Sequence, residues 1–168
     1  MDKLTWIKEL VRAEQKMEES GMVDFSMGFD PGHLLQSESL SFLNQLKTEF
    51  VEAAASFNQL KSSSVGRIKI YGISNTAADF MLFRNGFKLL FTLREPGVIG
   101  IRFHYVGTSF ISTPTASDNG QPVPSDEDLL QARWGAFGDL IWTFQEQAIK
   151  SDYLVRYYMT RFVRESAK

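Results

Sequence analysis

Asn85-Gly86, set between the apolar runs 78–84 and 87–94, constrains this chain more than any other pair of residues. A two-residue hairpin loop matches the twist of its strands only when both central residues take positive φ, and Asn-Gly tolerates that conformation best. The turn predicts the pairing: Arg84 opposite Phe87, Leu82 opposite Leu89, and Phe80 opposite Phe91. One face of the hairpin then gathers phenylalanine and leucine, and becomes the candidate core.

Glu95-Pro96-Gly97 tests the same logic. A two-residue Pro96-Gly97 loop would set Arg102 against Phe91; a three-residue loop sets Ile101 against Phe91, Ile99 against Leu93 and Phe103 against Leu89. The second register keeps the apolar set on one face and is the expected one. Pro96 sits badly in a type I turn of that length, so a longer or bulged loop is the alternative. With Val65–Ile73 ahead of it, the stretch 65–106 reads as an antiparallel meander of four strands, or five if Thr108–Thr113 adds an edge.

Alternation gives the opposite face a different character. It carries Arg67, Lys69, Tyr71, Lys88, Arg94, Arg102 and His104 among Met81, Phe83 and Leu90, with Asp79 the one carboxylate. Arg67, Lys69, Lys88, Arg94, Arg102 and His104 are therefore the candidate ligand-binding residues, because cations on a sheet with apolar patches suit an anionic ligand, a nucleic-acid backbone or an acidic partner. The plainer alternative is a solvated face, or one covered by a helix with the basic stems lying over apolar surface. His104 and Asp79 supply an acid/base pair only if they meet across the sheet, with arginines steadying a developing anion.

Helices flank the sheet. Leu4, Ile7 and Val11, beside Trp6, Leu10, Ala13 and Met17, predict a helix over 3–19 that Gly21 ends. Leu40, Leu43, Leu46, Phe50, Ala54, Phe57 and Leu60 predict a second over 37–61, broken by Ser62-Ser63-Ser64. Between them 22–36 has no clear period, and Asp30-Pro31 marks a turn or a helix start. Residues 107–125, with Pro114, Pro122, Pro124 and Asn119-Gly120, read as a long polar loop.

Ser125 followed by Asp126-Glu127-Asp128 has the pattern of a helix start, a capping hydroxyl and then carboxylates at the positive end of the macrodipole. Leu130, Trp134, Phe137, Ile141, Phe144 and Ala148 then recur in steps of four and three. One long helix is expected over 126–165, packed on the sheet, with Gly135 and Gly138 marking close packing or a bend and Ser151-Asp152 a kink or break. The fold class is α+β in a single domain over 1–168: two N-terminal helices, the meander, and the C-terminal helix. Tyr153, Arg156, Tyr157 and Arg161 on that helix are candidate partner-binding residues, tyrosine and arginine being enriched at interfaces. The bland reading is a core helix with snorkelling arginines.

What the chain lacks narrows its chemistry. With no cysteine in 168 residues, thiol catalysis, disulfides and thiolate metal sites are excluded. No apolar run has signal-peptide or bilayer-spanning form, so a cytoplasmic address and no membrane are expected. There is no Gly-x-Ser-x-Gly, no phosphate loop and no His-x-x-x-His; His33 with Asp24 and Asp30 has no metal-ligand spacing, so no metal and no cofactor are expected. A net charge of −2 and the wrong aromatic spacing in Arg84–Phe91 argue against nucleic acid.

The function expected is a non-catalytic, cytoplasmic interaction or regulatory module, binding a protein partner or itself as a homodimer through the C-terminal helix, the cationic face, or both. The alternative is a binding protein for a small anionic or amphipathic ligand held between the sheet and the 107–125 loop, with turnover by His104 and Asp79.

Overall fold

The computed structural model describes residues 3–22, 31–105 and 127–167. The chain divides into two compact units, Met1–Leu35 and Gln36–Lys168. In the first, helix α1 spans Lys3–Ser20 and closes where Gly21 takes a φ of 69° and donates its N–H to the Met17 carbonyl at 2.9 Å. This is the left-handed exit that glycine allows at no steric cost. Leu4, Trp6, Ile7, Leu10 and Val11 are exposed along α1.

Helix α2 runs Pro31–Lys61 and so starts at Pro31 rather than 37. Proline is suited to a first helical position, because its missing N–H would have no partner there. Residues 23–30 lie outside the described residues.

The second unit holds the rest of α2, a seven-stranded antiparallel sheet in sequential order, and helix α3 (Ser151–Glu165). The strands are β1 (Lys69–Gly72), β2 (Phe80–Arg84), β3 (Phe87–Glu95), β4 (Val98–Tyr105), β5 (Glu127–Trp134), β6 (Leu140–Phe144) and β7 (Gln147–Ala148). The fold is α+β: two N-terminal helices, an antiparallel sheet, and a C-terminal helix that packs on the sheet. Each residue pair expected for the two central hairpins is present. Asn85 and Gly86 have φ of 51° and 77°, as their turn requires.

The next turn reaches its register by another route. Pro96 and Gly97 form a two-residue turn in which Gly97 has a φ of 86°, and a bulge between Leu93 and Glu95 absorbs Arg94 as the extra residue. Proline first and a positive-φ glycine second are the demands of a type II turn. Gly97 N–H donates to Ser39 Oγ and the Gly97 carbonyl accepts from Ala132 N–H, both at 2.8 Å, which ties the turn to α2 and β5.

Two expectations are corrected. The sheet has seven strands, not four or five, and the additional ones, β5 to β7, come from residues expected to begin a long helix from 126. The C-terminal helix starts at Ser151, where the sequence suggested a kink. The period of four and three was a coincidence of two alternating strands offset by the turn at 135–139. Gly138, with a φ of 79°, serves that turn, and a Cβ at Gly135 would overlap the Asp139 carboxylate. The glycines therefore build a hairpin, not a close helix contact. Ser125, Asp126, the possible Thr108–Thr113 strand and the 107–125 loop lie outside the described residues.

Both helices of this unit pack on one sheet face. Phe50 of α2 meets Phe80 and Phe91 at ring separations of 6.0 and 4.9 Å, and Phe42 stacks on Trp142 at 4.6 Å. From α3, Tyr158 reaches Phe91 edge-on at 6.1 Å and Phe162 reaches Phe87 at 5.8 Å. Phe50, Phe80, Phe91 and Phe162 are fully buried, each worth about 1.5–3 kcal/mol by transfer from water.

The β6–β7 turn breaks the rule that Asn85-Gly86 obeys. Gln145 and Glu146 take φ of 48° and 69°, a conformation that costs an ordinary side chain about 1–2 kcal/mol. Replacing the pair with Asn-Gly is expected to raise stability by about 1 kcal/mol, read as a higher urea midpoint with an unchanged slope. The Arg133–Glu146 ion pair lost in the exchange is highly exposed and contributes little. An unchanged or lower midpoint would show that the turn is not strained.

Candidate functional site

Helix α3 is two-faced. Leu154, Val155, Tyr158 and Phe162 are buried against the sheet. Tyr153, Arg156, Tyr157, Thr160, Arg161 and Arg164, spaced by three, one, three, one and three, form the outward stripe. These six and Glu165 line a groove of about 660 Å³. All four residues expected to bind a partner, Tyr153, Arg156, Tyr157 and Arg161, thus lie together, and the tyrosines are 64% and 59% exposed.

The stripe is held from beneath. The Arg161 guanidinium sits 4.4 Å above the Phe103 ring, while its Nε donates to Glu165 Oε1 at 3.0 Å. That hydrogen bond raises the already high pKa of Arg161. Tyr157 stands edge-on to Tyr158 at 5.0 Å, and Tyr158 Oη donates to Asp128 Oδ2 at 2.7 Å. Burial first, then the hydrogen bond to Asp128 and its charge, push the Tyr158 phenol far above its usual range. Tyr158 is thereby a neutral donor, and β5 anchors α3 through it. Arg156 and Arg164 have no carboxylate partner among the described residues.

Thr160 and Arg164 were absent from the expected set, although carrying its spacing one turn further reaches both. A second groove of about 550 Å³ shares Tyr153 and Tyr157 at its rim and has Leu130, Phe144, Ala148 and Ile149 among its walls. That wall was illegible while 126–150 was read as helix.

The other candidate surface is the sheet face away from α2 and α3. Register places Lys69, Phe83, Lys88 and His104 in one line across β1 to β4, and Tyr71, Met81, Leu90 and Arg102 in the next. Lys69, Arg102 and His104 are exposed and Lys88 is half-buried. Arg67 is exposed but precedes β1 and is not part of the sheet. Arg94, the bulged residue, is neutralised: its Nε donates to Glu127 Oε1 at 2.8 Å and its Nη2 binds the same oxygen. The Glu127 carboxylate lies over Gly100, where any Cβ would overlap it.

His104 and Asp79 do not meet. The Asp79 carboxylate accepts from Leu93 N–H at 2.8 Å, whereas His104 lies opposite Lys88, about 16 Å further along β3. Asp79 pins a hairpin, and the acid/base pair is not assembled. No described helix is long and apolar enough to cross a membrane.

Compared with protein-family models, with curated proteins and with solved structures, the chain matches none of them.

Proposed function

We propose that this chain is a non-catalytic, cytoplasmic interaction module whose binding surface is the outward stripe of α3, and that it takes a protein partner, a second copy of the chain being the preferred one. The observation that supports this reading is the groove lined by Tyr153, Arg156, Tyr157, Thr160, Arg161 and Arg164. Tyrosine brings large contact area at little entropic cost, and arginine adds planar donors, so truncating either type in an interface is commonly expensive.

Light scattering on the eluting full chain tests the reading. Twice the 19.1 kDa chain mass is expected, falling towards the monomer on dilution. Tyr157→Ala is expected to weaken self-association by about thirtyfold, the loss of an interface anchor worth about 2 kcal/mol, with no change in melting temperature beyond that caused by dissociation. A monomer at every accessible concentration removes the second copy as occupant. Capture of a protein partner must then depend on Arg156, Tyr157 and Arg161, and capture indifferent to all three would sink the module.

A second reading, binding of a small amphipathic ligand, is favoured by the apolar groove beside the same tyrosines, whose volume of about 550 Å³ suits such a molecule. It requires a ligand that raises the melting temperature without changing the mass.

A further inference from the structure

We propose that the sheet face away from α2 and α3 is a separate binding surface, and that its occupant is an amphipathic helix of a partner protein with one acidic edge. Tyr71, Met81 and Leu90 form an apolar line across β1, β2 and β3. Met81 and Leu90 are half-buried and Tyr71 is 44% exposed. Lys69, Lys88 and His104 form the neighbouring line, and Arg102 closes the end of the apolar one. Among the described residues none of these basic groups has a carboxylate partner, because Arg94 occupies Glu127 and Leu93 N–H occupies Asp79. Lys88 of β3 neighbours His104 and Arg102 of β4, while Phe83 of β2 separates it from Lys69; basic side chains on neighbouring strands favour an anion that joins them.

The dimensions suit a helix. The apolar line spans two strand spacings, about 10 Å, which matches two helical turns of about 5.4 Å. The basic line runs about 7 Å to one side, close to the distance from a helix axis to its flank. A helix laid on Tyr71, Met81 and Leu90 with leucines at successive turns therefore brings glutamates on one edge against Lys69, Lys88 and His104, and its end towards Arg102. A long polyanion fits less well. The chain's net charge of −2 gives it no long-range attraction, and a local field reaches only about 8–10 Å at ordinary salt. This surface shares no residue with the α3 groove and does not depend on it.

The test titrates the isotopically labelled full chain with three probes: a synthetic helical peptide with a leucine stripe and glutamates along one edge, the same peptide with lysines in place of the glutamates, and oligo-dT. Only the glutamate peptide is expected to bind, shifting the amides of Tyr71, Met81, Leu90 and Arg102. The double variant Lys88→Glu, Arg102→Glu is expected to bind it about tenfold more weakly or worse and to gain the lysine peptide, a gain that also shows the variant is folded. Tyr157→Ala is expected to bind as the parent does. Failure of the glutamate peptide to bind, unchanged affinity in the double variant, or dependence on Tyr157 overturns the proposal. Displacement of the peptide by oligo-dT overturns it too, and makes the face a nucleic-acid surface instead.

Discussion

Replacing Arg84 with alanine is expected to cost about 3 kcal/mol of unfolding free energy and to loosen the last turn of α3. Arg84 is only 5% exposed, and no carboxylate pairs with it among the described residues. Carbonyls and a hydroxyl satisfy it instead. Its Nε donates to the Gly66 carbonyl at 2.8 Å, and its Nη1 to the Val163 carbonyl at 3.1 Å and to Ser166 Oγ at 3.2 Å. The guanidinium also lies 5.3 Å from the centre of the Phe57 ring. A buried cation is tolerable here because the unpaired carbonyls of a helix C-terminus carry the negative end of the macrodipole, and a ring face adds further attraction.

Arg84 thus joins four places at once: the lead into β1, the β2–β3 hairpin, α2 and the end of α3. Asn85 reinforces the grip, its Nδ2 donating to the Ser166 carbonyl at 2.8 Å. Alanine would take the guanidinium donor from the Gly66 carbonyl, leave the Val163 carbonyl with the longer bond from Ser166 Oγ at 3.4 Å, and open a void over Phe57, and those losses add to the missing charge-assisted bonds. Lysine is expected to recover about half the loss, since one ammonium cannot serve three acceptors in the fixed geometry of a guanidinium. Urea unfolding of Arg84→Ala and Arg84→Lys measures both, and amide exchange over 162–166 shows whether the helix end has frayed. A loss under about 1 kcal/mol with no fraying would mean that the clamp is ornamental.

The strand pairing around Asn85-Gly86 was legible because turn chemistry is local: two residues set the register of ten others without reference to the rest of the chain. The outward stripe of α3 was legible for a similar reason, Tyr153, Arg156, Tyr157 and Arg161 announcing their common face by spacing alone. Glu127 and Asp128 show where that kind of reading stops. As neighbours in a helix start they would act together; as neighbours in β5 they point to opposite faces, one to Arg94 and the other to Tyr158. Nothing local distinguishes the two cases while Leu130, Trp134, Phe137 and Ile141 imitate a helical period. Arg84 was paired correctly with Phe87, but its burial and its partners at 66, 163 and 166 are supplied by tertiary structure. The register at Pro96-Gly97 was right for a partly wrong reason, the turn being one residue shorter than expected and Arg94 bulging to compensate.

Tyr158 and Asp128 make the stability of the unit fall in alkali in a way that a single substitution should cancel. The Tyr158 phenol is raised by burial and by Asp128, whereas in the unfolded chain it titrates near the ordinary value of about 10. Below pH 10 the phenol is protonated in both states and its contribution is complete. Above pH 10 the unfolded chain releases the proton and the folded chain keeps it, so the unfolded state binds fewer protons and stability declines as pH rises towards the folded pKa. One such group contributes a slope of at most about 1.4 kcal/mol per pH unit. Tyr158→Phe removes a hydrogen bond to a carboxylate and leaves Asp128 without that donor, a cost of about 2 kcal/mol at neutral pH. Because phenylalanine does not titrate, the variant escapes this part of the alkaline decline. The parent and the variant are expected to approach equal stability about 1.5 units above pH 10. Every other side chain is common to the two proteins, so the difference between denaturant melts from pH 8 to 11.5 isolates Tyr158. A difference that stays constant over that range would show that Tyr158 does not hold its proton against alkali. The anchor from β5 that supports Tyr157 in the α3 stripe would then have to be sought elsewhere.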